Sequence, residues 1–193
     1  MTSKPTVLVV DDDEDTRAAY SHFLSGEYEI ITAVNGEDAL DKLNSEIDVI
    51  LLDRRMPRMP GEEVLDRIRA ADGKFHVAMV TAVETDFDIV DMEFDDYLVK
   101  PATYDELRDT IDGLYRRSSY DKKIQQFYTV SRKWSLLLEQ KSQGELDASK
   151  EFNRLNDRKM KLEEELDEIR AKFTEEDYRG LFSDIRPIST ASH

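Results

Sequence analysis

The sequence of 193 residues contains no cysteine and no long apolar segment. Without cysteine, neither a disulfide framework nor a thiolate metal site can form. No segment approaches the ~20 apolar residues that a membrane-spanning helix needs, and the first residues lack a signal-peptide pattern. The three histidines are scattered without the spacing of metal ligands. We therefore expect a soluble, cytoplasmic protein without a membrane anchor.

Positive charge is also scarce, and the formal net charge of −16 is unevenly distributed. Residues 1–117 hold 13 Lys and Arg against 28 Asp and Glu, a balance of −15. Residues 118–193 hold 14 against 15, a balance of −1. A segment at −15 repels nucleic acid and membrane phosphates. Such an acidic surface suits a salt-rich cytosol, where cations screen the repulsion between its carboxylates. We therefore hypothesise a halophilic habitat, which reversible unfolding at low salt would support.

Short apolar runs alternate with helical patterns along the first 117 residues. Strands are predicted for residues 6–10, 28–34, 47–53, 76–82 and 96–99, and helices for 14–25, from 36 onward, 62–70 and after Pro101, with only a short helix at 86–93. This alternation indicates an α/β fold with a parallel sheet that helices cover on both faces. Such sheets bind ligands at the carboxyl ends of their strands.

Polar residues stand at the carboxyl ends of the predicted strands: Asp11, Asp12, Asp53, Thr81 and Lys100. Carboxylates that converge there repel one another by roughly 4 kcal/mol per pair at about 4 Å in an intermediate dielectric. A hard divalent cation relieves this repulsion, and Mg²⁺ fits because it needs few protein ligands. We expect the cation, Lys100 and Thr81 to hold a phosphoryl group, with Asp53 as the nucleophile that accepts it.

Four motifs, in this order, resemble the response-regulator receiver domain, and the resemblance covers residues 5 to about 117. They are VLVVDDDED (7–15), LLDRRMPRMPG (51–61), MVTA (79–82) and DDYLVKP (95–101). The resemblance implies a doubly wound, flavodoxin-like sheet of five parallel strands in the order 2-1-3-4-5. It also implies that a sensor histidine kinase donates a phosphoryl group to Asp53.

The same resemblance assigns roles to the other site residues. The implied Mg²⁺ ligands are the carboxylates of Asp11, Asp12 and Asp53 and the backbone carbonyl of Arg55. The implied phosphate-binding and switch positions are Thr81, Ala82, Tyr97 and Lys100. On phosphorylation, the threonine hydroxyl would move to the phosphoryl group and the tyrosine ring would turn inward. The peptide bond before Pro101 is expected to be cis.

An aspartyl phosphatase is the competing enzyme class, because it also uses an aspartate nucleophile. Its DxDx pattern needs a second acid two positions after the nucleophile, and Arg55 stands at that position. We therefore predict an acceptor domain that modifies itself, with at most autophosphatase activity. We do not predict an enzyme that turns over a separate substrate.

The second half of the chain is helical, with apolar residues at steps of three and four. Residues 120–138 and 148–173 follow this rhythm, which is typical of a coiled-coil seam. The segment KSQGELD (141–147) predicts a turn around Gly144 between them. The sequence therefore predicts an antiparallel helical hairpin.

This half resembles HalX, a small helical module that follows receivers in salt-loving archaea. The resemblance rests on its position, its length and segments such as DYRGLFSDI. We therefore predict a receiver domain at 1–117, a HalX-like hairpin at 118–183 and a flexible tail at 184–193. The HalX resemblance implies a signalling output but no mechanism.

Three functions remain open for the output. The one we favour is a two-component response regulator whose helical module contacts an unidentified protein or forms a homodimer. The second is a DNA-associated transcriptional regulator that acts through a basic helical face formed by Lys150, Arg154, Arg158 and Lys161. No helix-turn-helix or winged-helix pattern is visible. We therefore do not expect DNA binding of the type that is common among transcriptional regulators. The third is a phosphate sink that drains a kinase.

Overall fold

The computed structural model describes residues 4–71, 75–82, 92–175 and 177–178. The chain divides into two compact units, Met1–Ser118 and Ser119–His193, and the boundary falls within one helix. Among the described residues, no helix combines the length and the apolar character of a membrane span.

Strands and helices alternate in the first unit. The strands are β1 (Thr6–Val10), β2 (Glu29–Ala33), β3 (Val49–Leu52), β4 (His76–Thr81) and β5 (Asp96–Val99). The helices are α1 (Glu14–Leu24), α2 (Gly36–Lys42), α3 (Gly61–Ala70) and α4 (Tyr104–Gln140), of which the last extends past the boundary. The short helix predicted at 86–93 involves residues that lie outside the described ones.

The five strands form one parallel sheet in the order β2-β1-β3-β4-β5. This confirms the strand order predicted from the sequence. Because β1, β3 and β4 lie inside the sheet, they carry near-continuous apolar runs and are buried along almost their whole length. The edge strands β2 and β5 are only partly buried.

Side chains of the inner strands alternate between two apolar layers. Leu8, Ile50 and Met79 face a layer completed by α2 and α3. Val9, Leu51 and Val80 face the opposite layer, completed by α1 and the start of α4. The sheet is therefore covered on both faces, and its carboxyl edge is the place where polar residues can meet.

The second unit contains the rest of α4, the short helix α5 (Gln143–Ala148) and α6 (Lys150–Arg170). Side-chain contacts show that α6 lies antiparallel to α4. Lys123 Nζ is 2.5 Å from a carboxylate oxygen of Glu165, and the Trp134 indole donates a hydrogen bond to Asn156 at 3.2 Å. The predicted helical hairpin is present. The predicted tail at 184–193 lies outside the described residues.

A short helix replaces the turn predicted at 141–147. The Ser142 hydroxyl and amide contact the Glu145 carboxylate at 2.8 and 3.0 Å, and the two residues form a capping box. This arrangement pairs amide groups that would otherwise be unpaired at the start of a helix. The prediction of a turn was wrong because Gly144 was interpreted as a breaker, whereas it lies inside α5.

Candidate functional site at the carboxyl edge of the sheet

The fold brings the predicted site residues to one edge of the sheet. Asp11 follows β1, Asp53 follows β3, Thr81 ends β4 and Lys100 follows β5. The four strands are consecutive neighbours and all parallel, so their carboxyl ends lie side by side. Residues that are up to 89 positions apart in the chain therefore meet.

Lys100 joins two carboxylates at this edge. Its Nζ donates hydrogen bonds to Asp11 Oδ2 at 2.6 Å and to Asp53 Oδ2 at 2.7 Å. Burial on its own would lower the pKa of Lys100, but its hydrogen bonds with Asp11 and Asp53 outweigh that effect and raise the pKa. The ammonium is therefore a fixed positive charge between two acidic groups.

Asp11, Asp12 and Asp53 form a cluster in which carboxylate oxygens lie within 4.8 Å of one another. Asp11 and Asp53 are buried, whereas Asp12 is exposed. Burial raises the pKa of Asp11, although the Lys100 ammonium and the Asp13 amide act in the opposite direction. Three hard oxygen donors, one of them open to solvent, match the needs of a divalent cation that retains some of its water.

The turn after β1 holds Asp11 in place. The Asp13 amide donates to Asp11 Oδ1 at 3.0 Å, and Arg17 Nη1 donates to the Asp11 carbonyl at 2.7 Å. Asp13 is also the N-cap of α1, because its carboxylate accepts a hydrogen bond from the Thr16 amide at 2.9 Å. The sequence analysis did not identify Asp13 and Arg17 as supports of the site.

The loop between β3 and α3 returns closely to Asp53. The Gly61 amide donates to the Arg54 carbonyl at 2.8 Å, and a Cβ atom at Gly61 would lie 2.2 Å from the Asp53 carbonyl oxygen. Only glycine fits there. The glycine closes the motif LLDRRMPRMPG, but its close approach to Asp53 was not predicted from the sequence. Arg55 is exposed, and its amide donates to Asp53 Oδ1 at 3.2 Å.

Thr81 contributes a buried hydroxyl. Within the described part of the chain, its Oγ1 has no hydrogen-bond partner. The Lys100 amide donates to the Thr81 carbonyl at 2.8 Å, which ties the end of β4 to the start of the next turn. The peptide bond between Lys100 and Pro101 is cis. An unpaired buried hydroxyl is costly, so this one is suited to a ligand that accepts its hydrogen bond.

The two remaining predicted positions are Tyr97 and Ala82. The Tyr97 ring is half-buried and packs against Phe94, with ring centres 5.6 Å apart. Ala82 is exposed and follows Thr81 directly. The structure thus brings Asp11, Asp53 and Lys100 into direct contact, with Asp12 beside them.

Comparison with known families identifies the protein family of this chain. The family model of the response regulator receiver domain matches residues 7–112. The chain belongs to the response-regulator receiver family. The HalX domain model matches residues 116–182, directly after the receiver. Both resemblances inferred from the sequence are therefore confirmed.

Relatives of this response regulator extend well beyond the matched part. A protein of Haloferax volcanii, described by its name as a transcriptional regulator, is 44% identical over 129 residues, or 66% of this chain and 22% of the relative. The alkaline phosphatase synthesis transcriptional regulatory protein PhoP of Bacillus subtilis is 38% identical over 118 residues, or 58% of this chain and 49% of PhoP. The chain therefore spans half the length of these relatives or less.

Solved receiver structures have the same fold. The response regulator TrrA of Thermotoga maritima, in complex with Mg²⁺ and beryllium fluoride, is 35% identical with a TM-score of 0.51 and covers 57% of this chain and 98% of TrrA. The chemotaxis protein CheY4 of Vibrio cholerae is 31% identical with a TM-score of 0.53 and covers 58% of this chain and 99% of CheY4.

Proposed function

We propose that this response regulator accepts a phosphoryl group on Asp53 from a sensor histidine kinase, with Mg²⁺ as cofactor. The proposal assigns residues 1–117 to the receiver and 118–183 to the output module. The observation that carries it is the Lys100 ammonium, which contacts both Asp11 and Asp53 at the carboxyl edge of the sheet. A cation in this position offsets the charge of an incoming phosphoryl group. The complex of the related TrrA with Mg²⁺ supports the choice of metal.

The transfer step forms one bond and breaks one. A carboxylate oxygen of Asp53 attacks the phosphorus of the kinase's phosphohistidine, and the O–P bond forms as the P–N bond breaks. The imidazole nitrogen of the kinase keeps the electron pair of the broken bond. Lys100 stabilises the charge on the transferred group from its position 2.7 Å from Asp53. Asp53 is the group modified, so the receiver acts as an acceptor and does not turn over a separate substrate.

The acidic cluster provides the ligands for the cofactor. The carboxylates of Asp11, Asp12 and Asp53 and the backbone carbonyl of Arg55 would hold Mg²⁺. When bound, Mg²⁺ supplies positive charge to the oxygens of the transferring phosphoryl group. The exposed Asp12 leaves one side of the cluster open, so the phosphoryl donor can approach from solvent.

Thr81 and Tyr97 would sense the phosphorylated state. A phosphoryl oxygen on Asp53 gives the buried Thr81 hydroxyl the acceptor that it lacks among the described residues. Movement of Thr81 toward that oxygen opens space for the Tyr97 ring, which is half-buried beside Phe94. Ala82, adjacent to Thr81, moves with it. The carboxyl edge of the sheet thereby converts a new covalent group into a change of packing.

The helical unit is proposed to act through protein contacts. Part of its basic face is already engaged, since Arg158 donates to Gln126 at 3.1 Å and Lys161 lies 3.9 Å from Glu165. The balance of −1 over residues 118–193 provides little attraction for DNA. A regulator of transcription, as the Haloferax relative is described, can also act by contacting another protein.

Binding of beryllofluoride, a mimic of the phosphoryl group, tests the acceptor site. We expect calorimetry to detect binding that requires Mg²⁺ and that is lost in Asp53→Asn. Asp66→Asn, an exposed carboxylate on α3, is the matched control and should bind as the unmodified protein does. Binding without Mg²⁺, or binding that survives Asp53→Asn, would refute the assignment.

A further inference from the structure

A groove of about 640 Å³ lies in the second unit, between the end of α4, α5 and the start of α6. Its walls are mainly apolar and include Leu136, Leu137, Leu146, Phe152 and Leu155. A concavity of this size and lining can accept several apolar side chains. Apolar surface of this kind on a folded unit marks an interaction site.

Leu136, one of the residues that line the groove, is 47% exposed. On the walls, Leu137, Phe152 and Leu155 are only half-buried, because two helices and the short α5 are too few to enclose the seam. An exposed leucine beside an apolar groove resembles a knob next to a hole. A two-fold axis would bury the exposed leucine and fill the groove at the same time, because it places the knob of each copy in the hole of the other.

The charged residues of the groove carry both signs, two positive and two negative: Lys133, Lys141, Glu145 and Glu151. Lys141 and Glu145 form an ion pair with each other at 3.4 Å. In the described parts of the chain, Lys133 has no ionic partner, and Glu151 accepts a hydrogen bond from Ser149 at 3.3 Å. A two-fold interface presses the same patch against itself, so it requires both signs within that patch.

The distribution of net charge favours a second copy as the occupant. Residues 1–117 carry a balance of −15, and residues 118–193 a balance of −1. Two copies can therefore approach through the second unit with little repulsion, whereas their acidic halves repel each other. A strongly acidic or basic partner would find almost no net charge in the second unit to attract it.

We propose that the groove binds a second copy of this chain, so that the second unit is a two-fold dimerisation module. Leu136 of each copy fills the groove of the other, and Lys133 of one copy pairs with Glu151 of the other across the axis. The segments of α4 and α6 from two copies then enclose both seams as four helices. The inference is independent of phosphoryl transfer, because every groove residue lies in the second unit.

Light scattering of the full chain tests the proposal at about 1 M salt, where charge repulsion is screened within about 3 Å. We expect a mass of twice 22.4 kDa. Leu136→Glu should raise the dissociation constant at least about 100-fold, because it places a carboxylate in an apolar groove. The control is Leu138→Glu, at a residue that is 40% exposed on the same helix and outside the groove lining. It should remain dimeric.

Two results of this measurement would overturn the proposal. One is a single-chain mass for the unmodified protein at about 100 μM, well above a micromolar dissociation constant. The other is a dimer that Leu136→Glu leaves intact. Mg²⁺-dependent binding of beryllofluoride should be the same in both leucine variants, so failure of the dimer and failure of the acceptor site are distinguishable.

A charge exchange tests the pairing across the axis. At about 0.15 M salt, where charge interactions reach about 8 Å, Lys133→Glu and Glu151→Lys should each weaken the dimer, because each places like charges opposite each other. The double variant restores opposite charges at both ends of the interface and should recover the mass of the unmodified protein. A double variant that stays weaker than either single variant would overturn the pairing. Circular dichroism of all three variants verifies that the helices are intact.

Discussion

The two units of this response regulator differ in net charge and in how much of their apolar surface is buried. The first places a strongly acidic surface around a sheet whose inner strands are almost completely buried. The second is nearly neutral, and among its described apolar side chains only Leu146, Leu162 and Leu166 are buried. The first unit thus completes its own core, and its polar residues at the sheet edge are free for chemistry. The second leaves part of its apolar surface exposed.

The largest expected difference between the two units is the response of their folding to salt concentration. Transfer from about 1 M to about 0.01 M salt extends charge interactions from about 3 Å to about 30 Å. We expect the first unit to unfold reversibly through self-repulsion, while the second unit keeps its helices. The single tryptophan, Trp134, belongs to the second unit, so its fluorescence reports that unit and circular dichroism reports the whole chain. If the first unit remained folded at low salt, the proposed difference in salt dependence between the two units would be contradicted.

Replacement of glycine should give the largest effect of a single residue. Gly61→Ala should lower the free energy of unfolding by roughly 3 kcal/mol, because its Cβ would overlap the Asp53 carbonyl. In the second unit, a Cβ atom added at Gly144 would meet no described atom within 4 Å apart from its chain neighbours and the backbone of its own helix. Gly144→Ala should therefore stabilise α5 by about 0.5 kcal/mol. Urea unfolding followed by circular dichroism measures both, and equal effects would contradict the account.

Asp95 anchors the opposite, amino-terminal edge of the sheet. Its carboxylate accepts hydrogen bonds from Arg69 and from the Val77 amide, both at 2.7 Å, and lies 3.4 Å from His76 Nδ1. Burial alone would raise the pKa of Asp95, but His76, Arg69 and the Val77 amide outweigh it and hold the pKa at about 2, below the ordinary 3.8. Because the folded-state pKa is depressed, this stabilisation is complete above about pH 4 and is lost as the pH falls through 2.

Asp95→Asn should therefore cost about 2 kcal/mol of unfolding free energy at neutral pH, in proportion to the shift in pKa. The variant should also lose part of the decline in stability between about pH 4 and pH 2. Urea unfolding at several pH values measures both effects. Asp157→Asn, at an exposed residue of the second unit, should change stability by less than about 0.5 kcal/mol. A similar loss in both variants would show that the anchor is not specific.

The capping box of α5 should give the smallest of the three losses of stability. Ser142→Ala removes the hydroxyl that pairs with Glu145 and should destabilise the second unit by about 1 kcal/mol. Urea unfolding followed by Trp134 fluorescence isolates that unit. Ser135→Ala, at an exposed position inside α4, should not destabilise the unit, because alanine favours a helix interior more than serine does. If Ser142→Ala were equally neutral, α5 would not depend on its cap.

Sequence alone could predict the sheet and the meeting of its polar strand-end residues for one physical reason. Parallel strands in a known order bring their carboxyl ends together, so Asp11, Asp53 and Lys100 had to meet once the strands were recognised. The supporting contacts of Asp13, Arg17 and Gly61 depend on the path of the loops. Hydrophobic periodicity carries no information about that path.

Polar pairs between residues far apart in the chain could not be predicted from the sequence either. Arg69 and Asp95 are 26 positions apart, and their ion pair depends on where residues 92–95, just before β5, lie against the end of α3. The short helix α5 was not predicted because Gly144 was interpreted as a turn residue and the capping residues Ser142 and Glu145 were not recognised. Local rules compete in such segments, and the side-chain contacts of the folded chain decide between them.

Phosphorylation from a small-molecule phosphodonor, followed by intact-protein and peptide mass spectrometry, tests the acceptor role of Asp53. We expect the addition of a single phosphoryl group, dependent on Mg²⁺ and located on Asp53. Lys100→Ala should slow its formation, since the ammonium that contacts Asp53 is removed. A phosphoryl group on another residue, or none in the presence of donor and Mg²⁺, would contradict the claim that the carboxyl edge of the sheet is the acceptor site.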